Sequence, residues 1–329
     1  MFIRRGKFLS VTILTLLLFI LNGCGGNKQP AEQPAEQALP TLKVGMMPIT
    51  DNLPFWLAEE NGYFAAEGIE VELIGFPSAL ERDSAFTAGQ IDAGIGDMLA
   101  VAAMNNAGTE VRAVAVGQGA TPGENRFAIL SAPDSGITSP QELKNVPIAM
   151  SLNTINEYLT DRLLQAQGLQ SGEIAKNSIP KLPLRLEALL NGSVKAATLP
   201  DPFATLAEIK GANLVADNTE NSVAQTVIIV RKATLDQNLA GMQKLMRAYA
   251  RAVEDLQTDP LQYEKLIVEK ARVPGEVLAS SVRPLTLHFS APVLPDEAGV
   301  NEVIQWMKNH QLLDKDLGYE ELVDDRVLR

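Results

Sequence analysis

Two kinds of apolar segment alternate along the chain from residue 41 to residue 230. Runs of five or six residues rich in Val, Ile and Leu, such as 226–230, predict β-strands. Longer segments with apolar residues at helical spacing, such as 98–106, predict α-helices. Since strands that alternate with helices form mostly parallel sheets with helical crossovers, the sequence predicts an α/β fold.

The order of the predicted elements changes after residue 230. The strands are predicted at 41–46, 69–74, 91–95, 111–116, 127–131, 146–150, 195–198, 214–216 and 226–230. The helices between them are predicted at 54–61, 78–88, 98–106, 139–143, 154–167, 182–190 and 202–209. Everything after residue 233 reads as helical, beginning with a long helix at 235–257. A strandless tail of this kind must pack on a sheet that is already present.

The length of 329 residues is long for one hydrophobic core and suits two lobes. If the chain builds one lobe, builds a second and returns, lobe 1 comprises 41–124 and 226–329, and lobe 2 comprises 125–225. The helical tail then packs on lobe 1. Two extended crossovers, near 124–126 and 225–226, would act as a hinge between the lobes.

The first 23 residues have the character of an export signal rather than of a fold. A basic start precedes the apolar run 8–21, which is too short for an ordinary membrane span. The residues at 21–24, LNGC, resemble the lipobox of bacterial lipoproteins, and Cys24 is the only cysteine of the chain. We therefore predict lipidation of Cys24 and anchoring on the extracytoplasmic side of the cell membrane; an uncleaved anchor or a secreted protein is the alternative.

Residues 24–40 predict a flexible tether, because Pro, Gln, Glu and Gly dominate and apolar periodicity is absent. The formal net charge of −12 and the absence of basic runs argue against nucleic acid as a partner. A second long apolar stretch is also absent from the sequence.

Part of the sequence resembles a known family. Residues 54–73, PFWLAEENGYFAAEGIEVEL, resemble the opening motif of the substrate-binding proteins for nitrate, taurine, aliphatic sulfonates and thiamine-pyrimidine precursors. Residues 88–97, AGQIDAGIGD, resemble the next block of that family, and the resemblance extends over roughly 42–229. It implies a two-lobed type II periplasmic binding protein fold. It also implies a small-molecule ligand in the cleft, and the permease and ATPase subunits of an ABC importer as partners.

The candidate ligand-binding residues lie where predicted strands give way to helices. Helix N-termini at such junctions present unpaired N–H groups and partial positive charge. The resemblance implies ligand contact at these positions, which gives the candidates Thr50, Asp51, Asn52, Trp56, Ser78, Ala79, Asp97, Ser151, Asn153, Thr154, Asn156 and Asp201.

Several candidates have a second interpretation. Ser78, Thr154, Asp97 and Asp201 are also suited to capping helices, and the two functions are compatible. Asn153 is equally suited to a turn. Arg82 is predicted on a solvated or ion-paired helix face, Arg126 at a crossover is ambiguous, and His288 and His310 are predicted to be surface or packing residues.

No catalytic signature is present. The sequence has no HExxH, no Walker loop, no Cys/His metal cluster and no nucleophile elbow, so neither a catalytic site, a metal nor a cofactor is predicted. The fungal pyrimidine synthases that resemble this family carry a cysteine-rich motif and an active-site His, which this sequence lacks. We predict a monomeric solute-binding protein of an ABC importer; a sensor accessory and a pyrimidine-biosynthesis-like enzyme are the alternatives.

The predicted ligand follows from charge. The junctions offer Asp51, Asp97 and Asp201 but only one plausible arginine, and the nearby carboxylates would repel an anion. A neutral or amino-bearing heterocycle such as a pyrimidine is therefore favoured. The alternatives are an aliphatic sulfonate such as taurine, whose amine could pair with a carboxylate, and a nitrate-type anion.

Overall fold

The strands form two separate five-stranded sheets. The computed structural model describes residues 39–220, 226–281, 285 and 287–329. The first sheet holds β1 Leu42–Met46, β2 Val71–Gly75, β3 Ala93–Asp97, β4 Val111–Gln118 and β10 Thr226–Arg231, in the spatial order β2-β1-β3-β10-β4. The second sheet holds β5 Phe127–Ser131, β6 Ile148–Met150, β7 Lys176–Ser178, β8 Ala196–Pro200 and β9 Asn213–Asp217, in the order β7-β6-β8-β5-β9.

Seven α-helices precede β10 within the described residues, and six follow it. The first seven are α1 Leu53–Glu60, α2 Tyr63–Ala66, α3 Ala79–Thr87, α4 Met98–Asn106, α5 Ile155–Ala166, α6 Leu182–Leu190 and α7 Phe203–Ile209. The tail holds α8 Lys232–Gln237, α9 Leu239–Thr258, α10 Glu264–Glu269, α11 Gly275–Leu278, α12 Glu297–Asn309 and α13 Tyr319–Leu322. The predicted α/β fold with two sheets and a helical tail is confirmed.

One strand in each sheet runs against its neighbours. β1 pairs in parallel with β2 and β3, and β6 pairs in parallel with β7 and β8. By contrast, β10 is antiparallel to β3 and β4, and β5 is antiparallel to β8 and β9. The crossovers explain this arrangement. Strands β4 and β9 each end at the carboxyl edge of their own sheet. The strand that follows each of them, β5 or β10, therefore enters the other sheet at the edge where the parallel strands of that sheet end. Both crossovers therefore lie at the edge where parallel strands end.

Local sequence explains several element boundaries. The Ser78 hydroxyl accepts a hydrogen bond from the Glu81 amide (3.3 Å) and caps α3, while the Asp97 carboxylate accepts from the Ala100 amide (2.9 Å) and caps α4. Such caps satisfy amides that have no partner in the first turn of a helix. The capping interpretation of these two residues is thus part of the structure.

The helical tail packs on the first sheet. Helix α9 buries Leu245, Tyr249, Ala252 and Leu256, which recur at the spacing of one helix face. The Tyr249 ring lies 4.9 Å from the ring of Phe55 on α1, centroid to centroid. This face closes one side of the first sheet and fixes α1, whose start leads out of the loop after β1.

Helix α12 also contacts α5, a helix that belongs to the second sheet. The indole Nε1 of Trp306 donates to Oδ2 of Asp161 on α5 (3.1 Å), and the Trp306 ring meets the ring of Tyr158 edge to face at 5.7 Å. Arg162 of α5 pairs with Glu302 of α12 (3.0 Å). The tail therefore joins helices that belong to both sheets.

The tail contains several non-helical stretches among the described residues, and two of its differences from the predicted run of helices have a clear cause. The predicted helix at 235–257 is interrupted at Asn238, whose Oδ1 accepts from the Gly241 amide (3.1 Å) and starts α9 as a new helix. Residues 287–296 are not helical, because Pro292 and Pro295 lack the amide that a helix needs. The amide of Val116 in β4 donates to the Val293 carbonyl (2.7 Å), so this segment runs beside the first sheet.

Cys24, the predicted export signal and most of the predicted tether lie outside the described residues. Among the helices that the structure describes, none combines the length and the apolar content that crossing a membrane requires.

Candidate functional site

A cavity of about 70 Å³ lies where strand ends from both sheets meet. The first sheet and its loops contribute Met47, Ile49, Asp51, Ala79, Arg82, Ile95, Gly96, Asp97 and Thr226. The second contributes Phe127, Ser151, Thr154, Ile155, Asn156, Pro180, Leu182, Arg185 and Pro200, with Asn125 on the crossover. We refer to this space as the cleft. It has room for about five water molecules, or for a small solute of that size.

Arg185 is a fully buried cation that contacts the cleft. Its guanidinium donates to Asn156 Oδ1 (2.8 Å) and to three carbonyl oxygens, those of Ile179 (2.8 Å), Thr198 (2.7 Å) and Pro180 (3.2 Å). It forms no ion pair with any carboxylate among the described residues, and its side chain is 0% exposed. Burial lowers the pKa of the guanidinium to about 9, so the group is still a cation at neutral pH. A buried charge without a counter-charge is costly unless a ligand supplies one.

Arg82 is the second buried arginine of the cleft, with 3% of its surface exposed. Its Nη1 donates to the Ile95 carbonyl (2.5 Å), and its Nε (2.9 Å) and Nη2 (2.7 Å) donate to Oδ1 of Asp83. A Cβ at Gly96 would come within 3.1 Å of Arg82 Nη2 and 2.5 Å of the Ile229 side chain. Glycine at 96 therefore allows the guanidinium to lie against β3. The expectation that Arg82 is ion-paired agrees with this geometry, but the side chain is buried rather than solvated.

The two arginines hold equivalent places in the two halves. Each is the fourth residue of the helix that follows an edge strand, α3 after β2 and α6 after β7. Each donates through Nη1 to the carbonyl of the third residue of the next strand, Ile95 of β3 or Thr198 of β8. They differ in charge balance, because Arg82 pairs with Asp83 and Arg185 has no acidic partner among the described residues.

Two carboxylates face the same cavity. Burial raises the pKa of Asp51 to about 6, although its own backbone amide, Arg82, Thr226 and Asn52 favour the ionised form. Burial also raises the pKa of Asp97, against the effect of hydrogen bonds from the Ala100 and Ile155 amides and of the Arg82 charge. Both groups therefore hold a proton more tightly than exposed aspartates do.

Asp51 should make folding stability depend on pH. Its pKa is higher in the folded state than the ordinary value near 3.8, so the folded protein gains relative stability at low pH and loses it as pH rises from 4 to 6. Two pKa units correspond to about 3 kcal/mol. We expect Asp51→Asn to be equal to the wild type in stability at pH 4 and more stable at pH 7, in urea unfolding. The exposed Asp134→Asn is the control, and parallel pH profiles for Asp51→Asn and wild type would contradict the assignment.

The N-terminus of α5 forms the opposite wall. Oγ1 of Thr154 donates to the Ser151 carbonyl (2.9 Å) and accepts from the Asn156 amide (3.2 Å), which caps the helix. Asn156 Oδ1 accepts a hydrogen bond from the Arg185 guanidinium. Ser151, Thr154 and Asn156 thus line the cleft together, and Asn156 orients the buried arginine.

Six of the twelve predicted ligand-binding residues line the cleft: Asp51, Ala79, Asp97, Ser151, Thr154 and Asn156. The other six, Thr50, Asn52, Trp56, Ser78, Asn153 and Asp201, do not. Thr50 and Asn52 are buried beside Asp51, and Ser78 caps α3. Trp56 contributes to a depression outside the cleft, and Asn153 to a groove beside α3 and α4.

Asp201 is held by a neighbouring charge cluster. Its Oδ1 lies 3.4 Å from Nη1 of Arg126 and accepts from both the amide (2.9 Å) and the hydroxyl (2.8 Å) of Thr205. Arg126 also pairs with Glu208 (2.8 Å) and Asp217 (3.0 Å). We name Arg126, Asp201, Glu208 and Asp217 the crossover cluster, because Arg126 follows the first crossover and Asp217 precedes the second.

Arg185 is the charged residue of the cleft that the sequence did not single out. Strand β7, which leads into α6, has the polar sequence KNS and lies at a sheet edge, so no apolar pattern predicts it. If β7 is not predicted, the strand-to-helix junction that carries Arg185 is not predicted either. The signal that could have identified Arg185 is its equivalence with Arg82, which lies one turn into α3, the corresponding helix of the first sheet.

Comparisons with known proteins give consistent results. The family described as NMT1/THI5 like matches residues 49–262, more than half of the chain. A Brachyspira hyodysenteriae protein named as an ABC transporter periplasmic binding protein is 24% identical over 269 residues, covering 77% of this chain and 75% of that protein.

Solved structures show the same fold. The periplasmic aliphatic sulphonate binding protein SsuA from Escherichia coli is 18% identical with a TM-score of 0.72, covering 88% of this chain and 99% of that one. The nitrate-binding protein NrtA from Synechocystis is 13% identical with a TM-score of 0.71, covering 88% and 87%. The desulfurization enzyme DSZB, 16% identical with a TM-score of 0.67, covers 88% of this chain and 97% of its own. The fold is therefore shared by binding proteins and by an enzyme.

Proposed function

Because the chain belongs to the NMT1/THI5-like family, we propose that it is the substrate-binding component of an ABC importer and that its ligand is a small organic anion. The observation that carries the choice of an anion is Arg185, a fully buried cation on the cleft wall without a carboxylate partner among the described residues. An anionic ligand supplies the missing counter-charge. Four of the five N–H groups of Arg185 are used by Asn156 and the three carbonyls, so the guanidinium would supply its charge and the remaining Nη2 hydrogen to the anion.

The balance of charge around the cleft supports this ligand class over the amino-bearing heterocycle that the sequence favoured. That earlier interpretation counted three carboxylates against one arginine. Asp201 is engaged with Arg126 and does not line the cleft, whereas Arg185 does. Asp51 and Asp97 remain, and their raised pKa values allow proton uptake that lowers the repulsion of an anion. Two structural neighbours are named for binding anions, aliphatic sulphonates and nitrate.

A binding protein fits the cleft better than an enzyme does. Within the described residues, neither cysteine nor histidine lines the cleft, so the common nucleophile–base pairs have no candidates there. The residues that do line it are suited to holding a charge: buried guanidinium groups, helix N-termini and polar side chains.

We further propose that the two sheets belong to two lobes, 41–124 with 226–329, and 125–225, that close around the ligand. The ligand would contact Arg82 on one side and Arg185 on the other, and contacts to both sides favour the closed form. The closed form would be recognised by the permease and ATPase subunits of the importer. The proposed location is the extracytoplasmic face of the cell membrane, with an acyl anchor on Cys24 and the tether of 24–40 between anchor and fold.

A thermal-shift panel tests the ligand class. With ethanesulfonate, taurine, nitrate and cytosine each added to the protein, we expect a sulfonate at hundredfold excess over its Kd to raise the Tm by about 5–10 °C. Cytosine should leave the Tm unchanged. A rise in Tm with cytosine and none with any anion would reject the anion proposal and favour the amino-bearing heterocycle that the sequence predicted.

A further inference from the structure

We propose that a second cavity, between α4, α5 and α12, opens off the cleft and binds an apolar tail of the ligand. This inference rests on the proposed function, since it concerns the same ligand. We name this cavity the side chamber. It has a volume of about 220 Å³, and its apolar wall is formed by Met98, Leu99, Ile155, Tyr158, Val300 and Val303.

The side chamber and the cleft are neighbours that share part of their walls. Asp97 and Ile155 line both cavities. A ligand with its anionic head at Arg185 therefore has a place for further atoms beyond Asp97 and Ile155. The side chamber is at least as large as the cleft, so a head group in the cleft leaves room for a tail beside it.

The chemistry of the wall selects an uncharged tail. Met98, Leu99, Ile155, Val300 and Val303 are buried and apolar, which favours methylene and methyl groups. The polar residues of this chamber are acidic: besides Asp97 it is bordered by Asp296 and Glu302, both exposed. Carboxylates at this end disfavour a second negative charge on the tail. The ligand is thus oriented, with its anion at Arg185 and its apolar end between α4 and α12.

The wall of the side chamber is held in place by contacts between α12 and α5. Trp306 donates to Asp161, and Arg162 pairs with Glu302. Tyr158, which lines the chamber, meets the Trp306 ring edge to face. Since α12 belongs to the C-terminal tail, the length of ligand that the protein accepts depends on a part of the chain far in sequence from the family-like motif at 54–73.

A chain-length series tests the proposal. Isothermal titration of the full chain with n-alkanesulfonates from methanesulfonate to hexanesulfonate should show an affinity that rises up to about fourfold per methylene until the chamber is filled. Butane-1,4-disulfonate should bind more weakly than butanesulfonate. In Val303→Phe, which places a ring in the chamber, we expect unchanged binding of methanesulfonate and at least tenfold weaker binding of hexanesulfonate.

A control variant and a second variant of Val303 complete the test of the side chamber. Gln305→Phe adds the same ring to an exposed position of α12 that borders a different groove, and it should leave the whole series unchanged. Val303→Ala, which removes two methyl groups from the wall without obstructing the chamber, should bind hexanesulfonate more tightly than Val303→Phe does. Sulfonates that bind with an affinity independent of chain length, or a loss in Val303→Phe that is equal for all lengths, overturn the side chamber alone. If no sulfonate binds, the side chamber proposal fails, and the thermal-shift result with nitrate decides separately whether the anion proposal survives.

Discussion

Arg185→Met should lower the affinity for an anionic ligand by about 30-fold to several thousandfold. Losing one partner of a buried charge pair typically costs about 2–5 kcal/mol, and the ligand that binds best in the thermal-shift panel is the probe. Methionine keeps an unbranched side chain in the same space but cannot donate a hydrogen bond. The measurement is isothermal titration at pH 7, where the wild-type guanidinium is charged because its pKa, although lowered by burial, is about 9.

Two further variants test whether the loss of affinity is specific to the Arg185 guanidinium. Arg185→Lys keeps the charge but cannot reproduce the four hydrogen bonds that the three guanidinium nitrogens donate, so its affinity should lie between those of the wild type and Arg185→Met. Arg247→Met removes an exposed arginine that pairs with Glu67 and should bind as the wild type does. Wild-type affinity in Arg185→Met would remove this residue from the site and leave the choice of an anion without its main support.

Arg126→Met should destabilise the protein by about 3–5 kcal/mol at pH 7, the range that breaking a buried ion pair usually costs. The side chain of Arg126 is 2% exposed, and its partners Asp201, Glu208 and Asp217 have side chains that are 8%, 10% and 12% exposed. Removing the cation leaves three nearly buried carboxylates together. Chemical unfolding with urea measures the loss, and Arg247→Met, with a side chain that is 56% exposed, should change stability by less than about 1 kcal/mol.

The destabilisation should depend on pH. Burial opposes ionisation of Asp217, but hydrogen bonds from Thr219 and Arg126 outweigh it and lower the pKa of this carboxyl. A lowered pKa in the folded state contributes stability at pH values above the unfolded pKa, and this contribution disappears as pH falls. The difference between Arg126→Met and wild type should therefore be largest above pH 5 and shrink toward pH 3. A difference that stays constant over this range would show that lost packing, rather than charge, causes the effect.

The sequence predicted much of the fold because its signals are local. Strand β5 and helices α4 and α6 have the predicted bounds, and Ser78 and Asp97 form the caps that their spacing indicates. These features depend on apolar periodicity and on hydrogen bonds within four residues, both of which are visible in the order of the residues.

The composition of the cleft was less predictable because it depends on distant partners. Asp201 looked available for a ligand, but its cation, Arg126, lies 75 residues away in the sequence. Arg82 was expected on a solvated or ion-paired face; it is ion-paired with Asp83 but buried, because the glycine at 96 makes room for it against β3. Arg185 depends on a polar edge strand that apolar periodicity does not detect. In each case the deciding contact joins segments that only the folded chain brings together.

The antiparallel course of β5 and β10 has a consequence for how such molecules diversify. Because β5 and β9 are paired neighbours, the chain enters and leaves its second sheet side by side, and the Phe127 amide donates to Asn218 Oδ1 (2.7 Å). The residues between form one continuous insert with adjacent ends, the arrangement that tolerates transplantation best. A homologue's insert could therefore be grafted at these two points, which would recombine one wall of the binding site while the other wall, the tail helices and the N-terminal segment stay as they are.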